Sequence, residues 1–310
     1  MSTAWLSELI ARSLPGMSVR KVTVLGGGHA NDIYRTELDG GDVPSVVVRA
    51  WRRDPSVAAR ELAVMQRAAS VVPVPRILAA DLTGERPAAV LQDVPGLRGD
   101  LALEQFPHEA QSTGFVLGEA FARLSTVHFP DPGFFADEKL TVSAFGGTAP
   151  DQLLAFARPQ VWSAAAEAAL GSGVRAAWWA LIEAAAPSLA GLERERSLVH
   201  ADANPKNVLL ERNALGWHVA ALLDWEFAFS GPSLMDLGNL LRFEDRDGTP
   251  FAEGVLAGWR AGGGPDHPGF EAQARVLDVY SLIGFVTAPT SALHGQVLEL
   301  VRRQVHEGRL

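Results

Sequence analysis

Leu198-Val199-His200-Ala201-Asp202-Ala203-Asn204-Pro205-Lys206-Asn207-Val208-Leu209-Leu210 sets a polar loop between two apolar runs. Fourteen residues after Leu210, a further apolar run, Ala221-Leu222-Leu223, ends in Asp224-Trp225-Glu226. If the runs on either side of the turn pair as a hairpin, Asp202, Asn207 and Asp224 come to one neighbourhood. Two carboxylates and an amide oxygen are hard donors suited to Mg²⁺, which keeps some water and takes substrate phosphates in its remaining positions. An acid left off the metal can accept the proton of an attacking hydroxyl.

Working outward, the front of the chain reads as a sheet. Val19 to Leu25 alternates apolar and polar residues, Gly26-Gly27-Gly28 interrupts, and Asn31 to Leu38 resumes the alternation. Asp39-Gly40-Gly41-Asp42 turns the chain into the β-branched run Val43 to Trp51, giving a three-stranded meander. Ser56 to Ser70 reads as a helix stopped by Pro73 and Pro75, and Arg76 to Asp81 and Ala88 to Gln92 add two strands. Ahead of the meander, Trp5, Leu6, Leu9 and Ile10 mark a helix face closed by Pro15-Gly16.

After Asp93-Val94-Pro95-Gly96 the pattern turns helical, over 109–128, 150–190 in two pieces, and 232–308 in three or four. The β-rich stretch 197–224 is the one interruption, and Trp178, Trp179 and Trp162 read as helix packing. A β-rich front and a helix-rich back predict an α+β fold in two lobes. Residues 1–93 would form a five-stranded antiparallel sheet with one main helix, and 94–310 a larger, mostly helical lobe containing a short β-hairpin.

Composition narrows the function. At 310 residues and 47% apolar, the chain can bury a core of two lobes, and the absence of cysteine excludes disulfides, thiolate metal sites and a cysteine nucleophile. A net charge of −9 argues against a nucleic-acid partner, whose affinity rests on Lys and Arg against phosphate. The charge is uneven: residues 1–92 carry 11 basic and 9 acidic side chains, the remainder 16 and 27. No uncharged apolar run reaches the roughly 18 residues that span a bilayer, and the first residues carry no basic leader; the expectation is a cytoplasmic protein with no membrane partner.

His200-x-Asp202-x-x-x-x-Asn207, the strand ending in Asp224-Trp225-Glu226, and Gly231-Pro232-Ser233-Leu234-Met235-Asp236-Leu237-Gly238 together resemble the aminoglycoside phosphotransferase-like small-molecule kinases, relatives of the protein kinases. The resemblance implies a protein-kinase-like fold, Asp202 as catalytic base, Asn207 and Asp224 as Mg²⁺ ligands, and a nucleotide, ATP or GTP, between the lobes. It gives Asp236 the task of anchoring the catalytic loop through backbone N–H groups, with helix capping as the competing role. His200 reads as a residue that packs and hydrogen-bonds to hold that loop. One departure is Ala201, where the family usually has glycine; the added methyl matters only where the backbone needs a positive φ.

The front of the chain supplies the complement. Gly26, Gly27 and Gly28, followed by Asn31, join two strands, and glycines let backbone N–H groups close on phosphate oxygens. The lysine that kinases carry on the third strand is missing: the three lysines are Lys21, Lys139 and Lys206, and Arg49 stands in that place, with Glu61 on the following helix as its natural partner. Arginine keeps the charge and offers a planar fork, but is not an isostere of lysine. Gln92 and Asp93 should meet the purine, without declaring adenine or guanine. Glu226 is a further acid for the metal or the acceptor.

The function expected is transfer of the γ-phosphoryl group of a nucleoside triphosphate to a hydroxyl of a small molecule. The acidic back of the chain favours a cationic acceptor such as an aminoglycoside or an amino alcohol. A nucleotide-binding pseudokinase is the alternative, resting on Arg49 and Ala201, with the complete Asp202, Asn207 and Asp224 set against it. A metal-dependent phosphohydrolase would have no use for the glycines, Arg49 and Glu61 in that order. Oligomeric state leaves no mark in the sequence.

Overall fold

The computed structural model describes residues 4–27, 31–52, 54–83, 86–244 and 248–310. Helix α1, Ala4–Ser13, precedes the meander β1, Ser18–Gly27, β2, Asn31–Asp39, and β3, Ser45–Trp51. Helix α2, Ala58–Ala68, then leads to β4, Ile77–Asp81, and β5, Ala88–Gln92. All neighbours are antiparallel and the order is β1-β2-β3-β5-β4.

Period-two alternation along β3 decides which side chains serve the core and which serve the site. Val46, Val48 and Ala50 are buried with Leu6, Leu9 and Ile10 of α1 in one apolar cluster. Trp51 belongs to the other cluster, with Leu62, Val64 and Met65 of α2, and Val47 packs against it. Arg49 shares the face of Val47 and Trp51, so it points away from α1. Helix α2 starts after a short 3-10 turn at Pro55–Val57, where Asp54 accepts a hydrogen bond from the Ser56 backbone N–H. Its buried set includes Glu61, a carboxylate on an otherwise apolar stripe.

The rest of the chain is mainly helical: α3, Gly99–Gln105; α4, Ala110–Leu124; α5, Ala149–Val161; α6, Ala164–Ala185; α7, Leu234–Leu240; α8, Pro250–Ala261; α9, Phe270–Thr287; and α10, His294–Glu307. Helices α4 and α8 meet almost backbone to backbone. A Cβ on Gly118 would collide with the Val255 carbonyl, and one on Gly258 with the Phe115 carbonyl. Trp178 and Trp179 are buried in the helical core, whereas Trp162 is half exposed with the Arg175 guanidinium over its ring.

Two small sheets interrupt the helices. In the first, β6, Leu97–Arg98, and β11, Gly216–Leu222, flank β10, Val208–Asn213; this contains the expected hairpin. The second, in the order β8-β7-β12-β9, joins β7, Gly133–Phe135, β8, Val142–Ala144, β9, Ser197–Val199, and β12, Phe229–Gly231. The second sheet corrects the expectation of a single β-rich interruption. Its strands are three residues long, too short to show alternation, and tertiary pairing alone makes them strands. Among the described residues no helix is long and apolar enough to cross a membrane.

Candidate active site

The site begins with the β10–β11 hairpin. Val208 pairs with Leu222 and Leu209 with Ala221, and the Leu223 N–H donates to the Asn207 carbonyl at 2.8 Å. The start of one strand and the end of the other are thereby side by side, so Asp224 follows directly beside Asn207. Asn207 lies in a single 3-10 turn, Pro205–Asn207. Its Nδ2 donates to Asp202 Oδ2 at 2.7 Å and to the Asp202 carbonyl at 3.0 Å, an orientation that keeps Oδ1, the oxygen suited to a cation, out of that pair.

The loop carrying Asp202 is fixed from below. Asp236, fully buried on α7, accepts the backbone N–H of His200 at 2.9 Å and of Ala201 at 2.8 Å. Burial pushes its carboxyl up to about 6, with His200 and the two N–H donors pulling the other way. The His200 ring packs edge-to-face with Phe121 and tilted against Trp225, its Nε2 is 2.8 Å from the Leu223 carbonyl, and its Nδ1 accepts the Asp202 N–H at 3.3 Å. Ala201 and Asp224 both take left-handed backbone, with φ of 65° and 64°.

Arg49 crosses from the sheet to these acids. Its Nη2 lies 2.8 Å from Glu61 Oε1, 3.0 Å from Asp224 Oδ1 and 3.9 Å from Glu226 Oε2, while the side chain is 8% exposed. Glu61 is held from its other oxygen by Trp51 Nε1 at 2.7 Å. Burial outweighs Arg49 and Trp51 and pushes the Glu61 carboxyl up to about 7. Glu226 is raised by burial and then by the nearby Asp224 charge, and it accepts a 3.3 Å hydrogen bond from Asn31 Nδ2.

Of the residues singled out from sequence, Asn31, Arg49, Glu61 and Asp224 are thus linked through side chains, and Asp202 and Asn207 join them through the hairpin backbone. Gly26 and Gly27 continue β1, opposite Ile33 and Asp32, rather than standing in an open loop; Gly28 lies outside the described residues. Gln92 and Asp93 are not joined to the acids: Gln92 Oε1 accepts from Arg76 Nε at 3.0 Å, and Asp93 Oδ2 from Arg35 Nε at 2.7 Å and Ser45 Oγ at 2.5 Å. Trp51 and Asn204 were not singled out. Trp51 stands two residues after Arg49 on the same strand face, a signal present in the alternation. Asn204 has no such signal, since its partner is settled by a local turn.

The donor set fits a magnesium ion. Among the described residues no three His, Asp or Glu side chains converge as a preformed metal site. Asn207 and Asp224 instead offer one amide and one carboxylate oxygen on adjoining backbone, the sparse hard set that leaves positions for water and phosphate.

The family model for the phosphotransferase enzyme family matches residues 21–272. The chain belongs to that family. This phosphotransferase also resembles solved structures over nearly its whole length. The aminoglycoside phosphotransferase APH(4)-Ia, in a thermostable variant bound to ADP and hygromycin B, superposes with a TM-score of 0.71 at 16% identity, covering 99% of each chain. A candidate fructosamine-3-kinase from Thermobifida fusca gives 0.64 at 19% identity, covering 97% of this chain and 98% of the other. The macrolide 2'-phosphotransferase MphH from Brachybacterium faecium gives 0.61 at 21% identity and 96% coverage of both. No curated protein sequence matches the chain. The bilobal kinase-like α+β fold and the assignment to the phosphotransferases follow.

Proposed function

We propose that this phosphotransferase moves the γ-phosphoryl group of ATP or GTP to a hydroxyl of a small, preferentially cationic molecule in the cytoplasm, with the lobes dividing at 93/94. The acceptor oxygen bonds to the γ-phosphorus as the bond to the β-γ bridging oxygen breaks, and the hydroxyl proton passes to the Asp202 carboxylate. Arg49, held by Glu61, neutralises phosphate charge, and Gly26 and Gly27, at the end of β1, would offer backbone N–H groups to phosphate oxygens. Asn207 and Asp224 would hold Mg²⁺, which when bound supplies charge neutralisation on the phosphates. The segment around Gln92 and Asp93 would meet the purine.

One observation carries this reading: Asn207 bonds Asp202 through Nδ2 while its carbonyl receives Leu223 N–H, which sets the base, the amide and Asp224 on one short stretch of surface. The uneven charge supports a cationic acceptor, as does the hygromycin B in the APH(4)-Ia complex. The test is thermal unfolding of wild type and Asp224→Asn with ATP or GTP, with and without Mg²⁺. An upward shift that needs Mg²⁺ and is lost in the variant is expected; at a hundredfold excess over Kd it corresponds to about 2.7 kcal/mol. No shift with either nucleotide at millimolar concentration would defeat the proposal. Asp202→Ala should retain the shift and lose about 10²- to 10⁴-fold in turnover.

A further inference from the structure

We infer that Asn204 is a positioning residue for Asp202: it fixes the plane of the carboxylate so that one oxygen is presented to the acceptor hydroxyl. The inference rests on the reading of Asp202 as base. Asn204 Nδ2 donates to Asp202 Oδ1 at 2.8 Å and to the Asp202 carbonyl at 3.1 Å. Asn207 Nδ2 holds Oδ2 at 2.7 Å. The last torsion of an aspartate is broad and nearly two-fold, so a carboxylate held at one oxygen still turns about the Cβ–Cγ bond. Held at both, it does not.

The Asn204 amide cannot reverse its ends. Its Oδ1 accepts the Lys206 backbone N–H at 3.0 Å, capping the turn that carries Asn207. A reversed amide would face N–H with NH₂ and the Asp202 oxygens with oxygen, losing all three bonds at once. The division of labour follows from the chemistry of Asn207: a residue whose Oδ1 is reserved for a cation has only Nδ2 for the base, and a second amide is needed to stop the rotation. Neither bond forms an interaction with the acceptor, so Asn204 acts through Asp202.

Two variants separate this task from the cap. Asn204→Ser keeps an oxygen for the Lys206 N–H and removes the donor to Asp202; Asn204→Asp keeps the cap and turns a second carboxylate oxygen toward Asp202. The probe is Mg²⁺ with whichever of ATP and GTP gives the thermal shift, water serving as acceptor, with Asp202→Ala alongside. We expect Asn204→Ser to lose about tenfold to a hundredfold in kcat and Asn204→Asp more, while the nucleotide KM and the Mg²⁺-dependent thermal shift stay within about twofold of wild type. An unchanged kcat in Asn204→Ser beside a large loss in Asp202→Ala overturns the inference alone. A thermal shift lost in step with kcat also overturns it, by making Asn204 a structural residue of the loop. Full turnover in Asp202→Ala overturns the base assignment and this inference together. Where hydrolysis by water is too slow to follow, a crystal structure of Asn204→Ser decides: a turned Asp202 carboxylate supports the inference, and an unmoved one ends it.

Discussion

Arg49 and Asp224 are paired across the two lobes, Nη2 to Oδ1 at 3.0 Å, by the same nitrogen that lies 2.8 Å from Glu61. Asp224 is 40% exposed at its side chain and Arg49 only 8%, so the pair has a wet end and a dry end. The exposed carboxylate is free to turn to another cation, whereas Arg49 stays where Trp51 and Glu61 hold it. The arrangement keeps a buried positive charge aimed at the place where phosphate is proposed to bind.

Removing that charge should weaken nucleotide binding. A charge-assisted hydrogen bond contributes about 1.5–3 kcal/mol, so Arg49→Ala should raise the Kd for the magnesium nucleotide by roughly tenfold to a hundredfold. Arg49→Lys keeps the charge and should recover part of the loss. Titration calorimetry on the three proteins measures it, and equal affinities would remove Arg49 from the phosphate site.

Glu61 gives the free protein a pH signature. Its carboxyl is pushed from 4.5 up to about 7 by burial. A raised acid contributes stability that is fully present below 4.5 and is lost as the pH rises through about 7. The unfolding free energy of wild type relative to Glu61→Gln should therefore fall across that window in urea titrations without nucleotide. A difference that grows with pH would mean that the Arg49 charge outweighs burial.

Ala201 carries a cost that glycine would relieve. At φ 65° its Cβ crowds the following carbonyl, a strain of about 1–2 kcal/mol for an L-residue. Ala→Gly ordinarily destabilises by about 0.5–1 kcal/mol through the entropy of the unfolded chain. Ala201→Gly should come out between neutral and about 1.5 kcal/mol more stable. A loss of the ordinary size in thermal melts would show that Asp236 and the His200 ring, rather than torsional preference, set this backbone.

Gly258 has no room for a side chain. A Cβ there would meet the Phe115 carbonyl on the facing helix, a backbone atom that yields only if α4 and α8 part. Gly258→Ala should cost about 1–3 kcal/mol in chemical denaturation, although alanine is the better helix former. A stability gain would mean that the helices separate at no cost.

The sequence by itself determined the sheet, most helices and the identity of the polar residues. Alternation along β3 and the turn residues around it are local, and a strand with one face on α1 and the other on α2 has to alternate. The spacing from His200 to Asn207 and on to Asp224 is likewise written in one short stretch of chain. Tertiary structure decided what these groups do to one another. The second small sheet exists only because distant three-residue segments meet, Asp93 is taken by Arg35 and Ser45 rather than left to the cleft, and Arg49 chooses both Glu61 and Asp224. The left-handed backbone at Ala201 belongs there too, because it takes packing and the bonds from His200 and Ala201 N–H to Asp236 to outweigh a local preference of this size. Periodicity reports the face on which a side chain lies; distance, burial and charge between faces arise only when the chain closes on itself.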